Sequence, residues 1–594
     1  MNYLLQISIG PVQDFISAAR RTRDLWFGST LLSELSKAAA LAVHDEGGRL
    51  IFPAPENPEK DLAPTTDPNN SINAANVILA EFLDASDETL KASAENARAK
   101  VLERFHDYAD EVKNRFVEFL DVERWTAQVD DIIEFYYAYV PVKEKYSSAR
   151  KNVAGLLAAR KNIRDFKPSK FGGRMPKSSL DGLRESVFKF PMSENESAIF
   201  HRKARIKAGE YLDASGLIKR TGRMSSNPND ELFPSISRVA IDSWLRGRGK
   251  NFIHENWPGL EHYCEELADL GILNRVRDKT YNFFPYEGVV LYPSRHKAML
   301  EGDDNDKAKK LLEDIADVMR QLPASDRPGE PYAALLCADG DRMGAALSGM
   351  NSADEHKNFS HELSKFALRA RSKVQEYHGV CIYTGGDDVL AFLPLDTVLE
   401  CSKALHDLFG SIMGQFGNPA PSLSVGISIA HSLEDIELHM QYAHEAEKIA
   451  KGDDRDGLAI SVRSRGSSPV IIREQWQQDR GFNHVALMSV EKRLQFFAEC
   501  FMKGLIPNKF PYELRTNAEI YEEWGDDETT STAARDDVMR IFGRKDIKLS
   551  DEECAEIHDY IFTKIFGADD IRKLANEMII SQWLSFGIKQ AGGN

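Results

Sequence analysis

Two segments decide the fold of this chain: PYAALLCADGDRMGAALSG at residues 331–349 and VCIYTGGDDVLAFLPLD at residues 380–396. In the first segment, Tyr332 to Ala338 is an apolar run, long enough for a buried strand and too short for a stable helix. The run ends at Asp339-Gly340-Asp341, where two carboxylates follow the apolar residues. We therefore expect a buried strand that carries acidic residues at its end.

The second segment predicts a β-hairpin. Val380–Tyr383 and Val389–Phe392 are apolar and strand-like, and the link Thr384–Asp388 (TGGDD) joins them. Glycines in this link permit the positive φ angles of a tight turn. Between the two segments, the spacing of apolar residues predicts a helix that ends at Gly379. The residues with this spacing are Phe359, Leu363, Phe366, Ala370, Val374 and Tyr377.

Strand, helix and hairpin in this order open a ferredoxin-like β-α-β unit, which would bring Asp339, Asp387 and Asp388 together. Three carboxylates at one sheet edge repel each other unless a cation lies among them. Oxygen ligands of this kind suit two Mg²⁺ or Mn²⁺ ions, which support in-line phosphoryl or nucleotidyl transfer. The alternative is that GGDD is only a polar hairpin turn, and the acids at the preceding strand end argue against it.

Three motifs give the chain a family resemblance: the GGDD hairpin, DGDRMG at 339–344 and SIGPVQDFISAARRTRDLWFGSTLLSEL at 8–35. Together they resemble the large palm-domain subunit of type III CRISPR effector complexes, of the Cmr branch, along nearly the whole chain. The resemblance implies an antiviral, ATP-dependent nucleotidyltransferase that makes 3′–5′-linked cyclic oligoadenylates when its complex binds target RNA. It also implies other subunits of the ribonucleoprotein complex, guide RNA and target RNA as partners.

The resemblance, added to the carboxylate pattern, assigns roles to ten residues. Asp339, Asp387 and Asp388 would bind the metal ions and carry the catalysis, with Asp388 completing the metal site or helping to deprotonate a 3′-hydroxyl. The nucleotide-binding candidates are Gly340, Asp341, Gly385, Gly386, Ser424, Lys451 and Arg455. Lys451 would meet nucleotide phosphates in this view, while its position near a helix C-terminus is equally typical of a solvated lysine.

The predicted fold class is α/β (α+β) and multidomain, with two ferredoxin-like palms and two mainly helical domains. We expect a degenerate palm at 1–142, a largely helical domain at 143–325, the GGDD palm at 326–470 and a helical bundle at 471–594. In the first palm, Tyr3–Ile9 predicts the opening strand, but Gly10-Pro11 replaces the acids, so that palm should not hold metal. Further strands are predicted at 50–53, 76–82, 135–142, 284–292 and 423–427, and GDDETTS at 525–531 predicts a loop.

Composition excludes several classes of protein. The 594 residues suggest about four domains of roughly 150 residues, and a net charge of −17 argues against a broadly basic nucleic-acid binder. The six cysteines show no CxxC spacing, and the sequence has neither a signal peptide pattern nor a long apolar run. These features predict a cytoplasmic protein without a disulfide framework or a membrane partner.

Two elements found in many members of the family are expected to be absent here. Around 176–186 and 209–220, where many relatives carry zinc-binding cysteines, this chain has Ser178, Asp181, Asp213 and Gly216, so we expect no zinc. The His-Asp dipeptides are scattered, and the sequence given begins at the palm, so we expect no HD-type nuclease activity. A basic stretch over 143–177, extended at 202–207, is either a solvated surface or a contact with RNA phosphates.

Three other functions remain open at this stage. A palm of this kind could join AMP to another acceptor, such as S-adenosylmethionine, with the same metals. A GGDEF-like diguanylate cyclase is disfavoured by the 8–35 motif and by the GGDD variant. The third alternative is a catalytically silent scaffold that organises guide and target RNA, against which the three intact aspartates argue.

Overall fold

The computed structural model describes residues 1–65, 73–143, 145–163, 175–207, 209–224, 233–276, 283–300, 305–476, 489–524, 528–544, 550, 557 and 567–592. These residues form two sheets whose strands are mainly antiparallel, each with helices on both faces, and two groups of helices outside the sheets. The predicted mixed α/β, multidomain fold class is therefore confirmed. Among the described helices, none is both long enough and apolar enough to cross a bilayer.

The first sheet has four strands in the order β2-β3-β1-β4. Its strands are β1 (Tyr3–Gly10), β2 (Arg49–Phe52), β3 (Val77–Phe82) and β4 (Glu134–Pro141). Helices around it are α1 (Gln13–Ser17), α2 (Thr22–Asp45), α3 (Pro58–Asp61), α4 (Asp87–Phe116), α5 (Val122–Ile132) and α6 (Tyr146–Asn162). Alternate residues of β1 pack in opposite directions: Leu5 and Ile7 join the core with α2 and α4, whereas Leu4 joins a smaller cluster with α6.

The second sheet has six strands in the order β10-β9-β8-β5-β7-β6. Its strands are β5 (Tyr332–Asp341), β6 (Val380–Gly385), β7 (Asp388–Leu393), β8 (Ser422–His431), β9 (Gly457–Arg463) and β10 (Val470–Gln475). Its helices are α14 (Met343–Ser348), α15 (Ala353–Glu376), α16 (Val398–Met413) and α17 (Ile436–Lys451). Helices α15 and α16 cover one face through Phe366 and Phe409, whose rings lie 4.9 Å apart, and α17 covers the other.

The two sheets repeat one ferredoxin-like pattern. With the first four strands of each counted in chain order, the order is 4-1-3-2 in both, and a further helix follows the fourth strand, α6 in one and α17 in the other. Each second strand has a register shift against the third, between Leu50 and Phe52 in one sheet and between Cys381 and Tyr383 in the other. Aligning these shifts places Ser8 where the second sheet has Asp339.

This alignment gives the first palm a hydroxyl, that of Ser8, in place of the carboxylate of Asp339, a candidate metal ligand. Lys161 at the end of α6 donates to the Ser8 hydroxyl at 3.3 Å, and Lys451 at the end of α17 donates to Asp339. The lysine therefore occurs in both palms and the acid in only one. The two palms contact each other where Tyr146 meets His356, with 2.7 Å between the hydroxyl oxygen and Nδ1, and where Arg49 pairs with Asp354.

The third group of elements, between the two palms in sequence, is helical. It comprises α7 (Glu194–Ala204), α8 (Ala214–Thr221), α9 (Ile236–Ala240), α10 (Asp242–Trp244), α11 (Lys250–Asp269), α12 (His296–Met299) and α13 (Asp306–Arg320), with short 3₁₀ or π turns at 245–249, 288–291, 293–295 and 324–326. The strand predicted at 284–292 is wrong, because Gly288–Leu291 is a 3₁₀ turn and only an isolated bridge joins Tyr286 to Arg275. An apolar run this short cannot distinguish a strand from a buried turn.

The segment expected to lack zinc is organised around Asp213. Its carboxylate accepts hydrogen bonds from the hydroxyls of Ser178 (3.1 Å) and Ser215 (2.7 Å) and from the backbone N–H of Gly216 (3.0 Å). These contacts cap α8 and join the two loops of the element. Hydrogen bonds, in addition to packing, therefore hold this element together.

The C-terminal elements differ from the predicted division in two places. The boundary predicted after residue 470 passes through β10, and the last helix, α21 (Ala568–Gln590), packs Ile580 and Leu584 into the core of the second palm. The other helices are α18 (Val490–Lys503), α19 (Phe510–Tyr521) and α20 (Glu528–Gly543). The loop predicted at 525–531 is wrong from Glu528 onward, where α20 begins, and residues 525–527 lie outside the described residues.

The basic stretch is described only in part. Lys151, Arg160 and Lys161 lie on α6, while Arg164, Lys167, Lys170 and Arg174 are outside the described residues. The guanidinium of Arg160 lies over the Tyr136 ring at 5.4 Å, and Lys161 contacts Ser8. RNA contact by this stretch stays a prediction.

Candidate metal and nucleotide site

The acidic strand end and the hairpin tip lie side by side because β5 is paired with both β7 and β8. Residue pairs Ala338–Val389 and Asp339–Ser424 fix the register of β5 against its two neighbours. The β6–β7 hairpin closes at the pair Gly385–Asp388, which leaves Gly386 and Asp387 as the turn. One oxygen from each of Asp339, Asp387 and Asp388 lies within 4.8 Å of the others.

Glycines at this edge permit the close approach. Gly386 has φ of +71°, a conformation that favours glycine, so the two-residue turn depends on it. A Cβ atom built on Gly340 would lie 2.8 Å from Cβ and Oδ2 of Asp387. At Gly385, a Cβ would overlap the Tyr383 ring. The hairpin tip can therefore rest against the strand end because Gly340 lacks a side chain, and the missing side chain of Gly385 leaves room for the Tyr383 ring.

The three carboxylates form a cluster of like charges that is only partly neutralised. Burial, followed by the negative charge of Asp339, raises the pKa of Asp387. Partial burial and the charges of Asp387 and Asp339 also raise the pKa of Asp388, which is the most exposed of the three. A raised carboxyl pKa means that the ionised form is disfavoured here, so a bound cation would be stabilised.

One positive charge from the chain reaches the cluster. The Lys451 ammonium donates to Asp339 and also lies 2.8 Å from Glu447, one turn earlier on α17. Burial alone lowers the pKa of Lys451, but the hydrogen bonds to both carboxylates outweigh burial and raise it. The structure thus places Lys451 beside a metal-ligand candidate, within reach of whatever binds there.

Asp341 organises the floor of the site and does not join the other acids. It is 2% exposed, and its Oδ2 accepts from Ser424 Oγ (2.7 Å), Ser422 Oγ (3.1 Å) and the backbone N–H of Asp456 (3.0 Å). These bonds tie the end of β5 to β8 and to the turn after α17. Ser424 therefore supports Asp341 in this structure.

Arg455 lies in that same turn, with φ of +64°. Its backbone N–H donates to the Lys451 carbonyl at 2.9 Å, and its carbonyl accepts from Gln475 at 3.5 Å. The described contacts thus make Arg455 part of the turn that follows Lys451. Its assignment to nucleotide stays a prediction.

Two residues near the site were not found by sequence analysis. Glu447 precedes Lys451 by four residues, a spacing that could have revealed the ion pair on the helix. Asn73 of the first palm donates from Nδ2 to the Thr384 carbonyl at 2.8 Å, directly before the GGDD turn. No local sequence signal predicts a contact between residues 311 positions apart.

The donor set fits a hard divalent cation. Three carboxylates converge, two of them with raised pKa values, and the candidate ligands are all oxygen atoms, as Mg²⁺ and Mn²⁺ prefer. Among the described residues, Asp339, Asp387 and Asp388 are the acidic, histidine or cysteine side chains that lie close enough together to hold a metal ion. The geometry supports metal-assisted chemistry on phosphate esters.

Family models match both palms. The model described as Cas10/Cmr2, second palm domain, matches residues 332–459, and the model described as CRISPR-associated protein Cmr2, N-terminal, matches residues 4–119. The CRISPR system Cmr subunit Cmr2 of Pyrococcus furiosus is 24% identical over 658 aligned residues, which cover 95% of this chain and 71% of that protein. These matches support the predicted resemblance of the chain to a Cas10/Cmr2 subunit.

Solved structures agree with this assignment at the level of the fold. A chain in the cryo-EM structure of the apo state of type III-B Cmr-beta matches this chain with a TM-score of 0.64 and 14% identity, covering 100% of this chain and 82% of that one. A chain of type III-B Cmr-beta bound to cognate target RNA matches with a TM-score of 0.63 and 14% identity, covering 96% and 82%. The fold therefore extends over the whole chain, and the predicted family resemblance is confirmed.

Proposed function

We propose that this chain is the nucleotidyltransferase subunit of a type III CRISPR effector complex and makes cyclic oligoadenylates from ATP. The observation that carries the proposal is the convergence of Asp339, Asp387 and Asp388 in a palm that matches the Cas10/Cmr2 family. Its partners in this proposal are the other subunits of the ribonucleoprotein, guide RNA and target RNA. The Cmr2 relative and the target-bound Cmr-beta structure support that part by their descriptions.

The reaction is an in-line transfer in which a 3′-hydroxyl attacks the α-phosphorus of ATP and pyrophosphate leaves. Asp339 and Asp387 would hold Mg²⁺ or Mn²⁺, and Asp388 would complete the site or accept the hydroxyl proton. The bound cations would stabilise charge on the attacking and leaving oxygens. Gly340 lets Asp387 lie against the strand end, and Gly386 supplies the positive φ of the turn that carries Asp387.

Lys451 has a specific part in this proposal. In the structure its ammonium neutralises Asp339 and is shared with Glu447. Once cations are bound to the carboxylates, the ammonium can turn from Asp339 to a phosphate oxygen without leaving Glu447. The first palm carries Ser8 at the position of Asp339 and therefore serves in binding rather than in metal chemistry.

The test uses the assembled complex with labelled ATP, Mg²⁺ or Mn²⁺ and cognate target RNA, with and without S-adenosylmethionine. Mass spectrometry identifies the products, and an Asp387→Ala/Asp388→Ala variant is compared with Glu376→Gln, an acid on the same palm that pairs with Lys373. Cyclic oligoadenylates from wild type and Glu376→Gln, absent in the double variant, would support the proposal. An AMP conjugate that requires the added acceptor would replace the product but keep the site. Absence of any nucleotide product would favour an RNA-organising scaffold.

A further inference from the structure

A deep cavity lies at the opposite end of the second palm sheet from the carboxylates. It has a volume of about 800 Å³ and is bounded by Pro331 before β5 and by residues 432–437 after β8. Asp339 is eight residues along β5 from Pro331, which corresponds to about 26 Å in an extended strand. The cavity is therefore separate from the metal and nucleotide site.

Basic residues dominate the lining of this cavity. Eight of the lining residues are arginine or lysine and five are acidic, in a chain whose net charge is −17. Several of these charges are already paired: Glu210 with Arg220, Glu434 with Arg465, and Arg275 with Glu265. Glu287 is 8% exposed and accepts a hydrogen bond from Ser235.

The wall of the cavity contains a buried ionic group whose charges balance. Arg220 is held by Asp24 through two hydrogen bonds of 2.7 and 2.8 Å and by Glu210 at 3.0 Å. Arg23 is also buried and donates to the Arg220 carbonyl at 2.7 Å. Two guanidinium groups and two carboxylates therefore cancel within this group.

Arg21 is a further cation beside this group. It directly precedes α2, it lines the cavity, and among the described residues no carboxylate lies within ion-pairing distance of its guanidinium. Burial and the neighbouring Arg220 charge lower the pKa of Arg21 to about 10. Arg295 lies on another wall and is more accessible; burial and the Arg465 charge lower its pKa, and the Glu330 charge opposes them. A guanidinium group with another positive charge beside it is stabilised by an anion, and arginine binds phosphate through two parallel hydrogen bonds.

We propose that this cavity binds a phosphate ester, with Arg21 and Arg295 as the principal cations and Arg20 and Lys207 at its rim. The ligand chemistry is shared by a free nucleotide and by an RNA strand, and a volume of this size accommodates a nucleotide. The site also gives a role to the arginines of the ARRTR sequence at 19–23, which the carboxylate chemistry does not use. The walls come from stretches that are far apart in the sequence, from Ala19 to Glu437, so a bound phosphate would join them.

The experiment uses the full chain in EDTA, which removes divalent cations and so weakens nucleotide binding at the carboxylate site. The probes are ATP, followed by calorimetry, and a fluorescent oligouridine of about 12 nucleotides, followed by anisotropy at several salt concentrations. The variant is Arg21→Gln/Arg295→Gln, and the matched control is Arg98→Gln, an exposed arginine on α4. Lys207→Glu reverses a charge at the rim of the cavity without altering a buried group. It replaces the double variant in the binding measurements if the double variant is too unstable to stay folded.

We expect the double variant to bind at least one probe about tenfold more weakly than Arg98→Gln does. If the ligand is an RNA strand, the slope of log affinity against log salt should fall by about 0.7 for each phosphate that the variant no longer neutralises. Weaker binding of ATP alone would identify a nucleotide site, and weaker binding of oligouridine alone would identify an RNA site. Equal binding of both probes by the double variant, Lys207→Glu and the control would overturn the proposal.

Discussion

Replacing Gly340 with alanine should disrupt the candidate active site while leaving the fold largely intact. The new Cβ would lie 2.8 Å from Cβ and Oδ2 of Asp387 and 3.0 Å from Cγ of Met343. Ordinary contact begins at 3.4 Å, so the hairpin tip and the strand end must separate by about 0.6 Å. Because Asp387 lies on that tip and Asp388 follows it in the hairpin, the separation moves these carboxylates away from Asp339.

The expected magnitudes follow from this displacement. Displacements approaching 1 Å in an active site can cost about 10²-fold in rate, so we expect Gly340→Ala to lower product formation by about 10- to 100-fold. Forcing one extra carbon into a packed edge costs about 1–3 kcal/mol, which should lower the unfolding temperature by only a few degrees in a chain of this size. Affinity for Mn²⁺ should fall together with the rate.

The control is Gly344→Ala, four residues away on α14. A Cβ at Gly344 meets no atom within 4 Å, and alanine is favoured over glycine in a helix by about 1 kcal/mol. Both variants would be compared in the assembled complex for ATP conversion, and as free chains for Mn²⁺ binding and thermal unfolding. Wild-type activity in Gly340→Ala would refute the reasoning that this contact sets the carboxylate geometry. Loss of activity in Gly344→Ala would show that the effect is not specific to the hairpin contact.

Three further predictions concern charged groups. Lys451→Met should tighten Mn²⁺ binding about tenfold in an EPR titration because the ammonium no longer offsets the charge of Asp339, and unchanged or weaker binding would contradict this. Burial raises the pKa of Glu287 from 4.5 to about 7. The protonated carboxyl therefore stabilises the fold fully below the pKa that Glu287 has in the unfolded chain, and this contribution is lost as the pH rises through 7. Glu287→Gln should therefore raise the unfolding temperature at about pH 8, where it restores about 3 kcal/mol of folding free energy, and should not raise it at about pH 5. Equal effects at the two pH values would show that ionisation of Glu287 does not cause the loss of stability. Asp24→Asn should cost about 3–5 kcal/mol in chemical denaturation by leaving Arg220 partly unpaired, and Asp24→Asn/Arg220→Met should recover part of it; a double variant as unstable as the single one would contradict that account.

Sequence patterns were sufficient where local structure decides the outcome. The apolar run before Asp339, the helix pattern ending at Gly379 and the GGDD turn predict β5, α15 and the β6–β7 hairpin, and the structure has these elements. The order strand, helix, hairpin also predicts that Asp339, Asp387 and Asp388 converge, because a ferredoxin-like unit pairs the first strand with the hairpin. Each of these inferences depends on residues close in sequence or on one known topology.

Inference from sequence failed where distant residues decide the outcome. The sequence predicts that Asp341 shapes the turn or assists nucleotide binding, but it does not predict the partners on β8 and in the turn after α17 that hold this carboxylate. The position of α21 against the second palm, and the contact of Asn73 with Thr384, join residues more than one hundred positions apart. Residues 284–292 are mostly apolar, a composition that suits a strand and a buried turn equally, and packing against the surrounding helices sets their 3₁₀ turn.

The matching lysines of the two palms bear on the ancestry of the chain. Two sheets with one strand order, one register shift and one helix-end lysine indicate a duplicated ancestral gene. After the duplication, one copy has an acid beside the lysine, Asp339 with Lys451, and the other has a hydroxyl, Ser8 with Lys161. The two copies therefore share a positive charge at this helix end and differ in the group that it meets, so the presence of the lysine does not depend on an acid beside it.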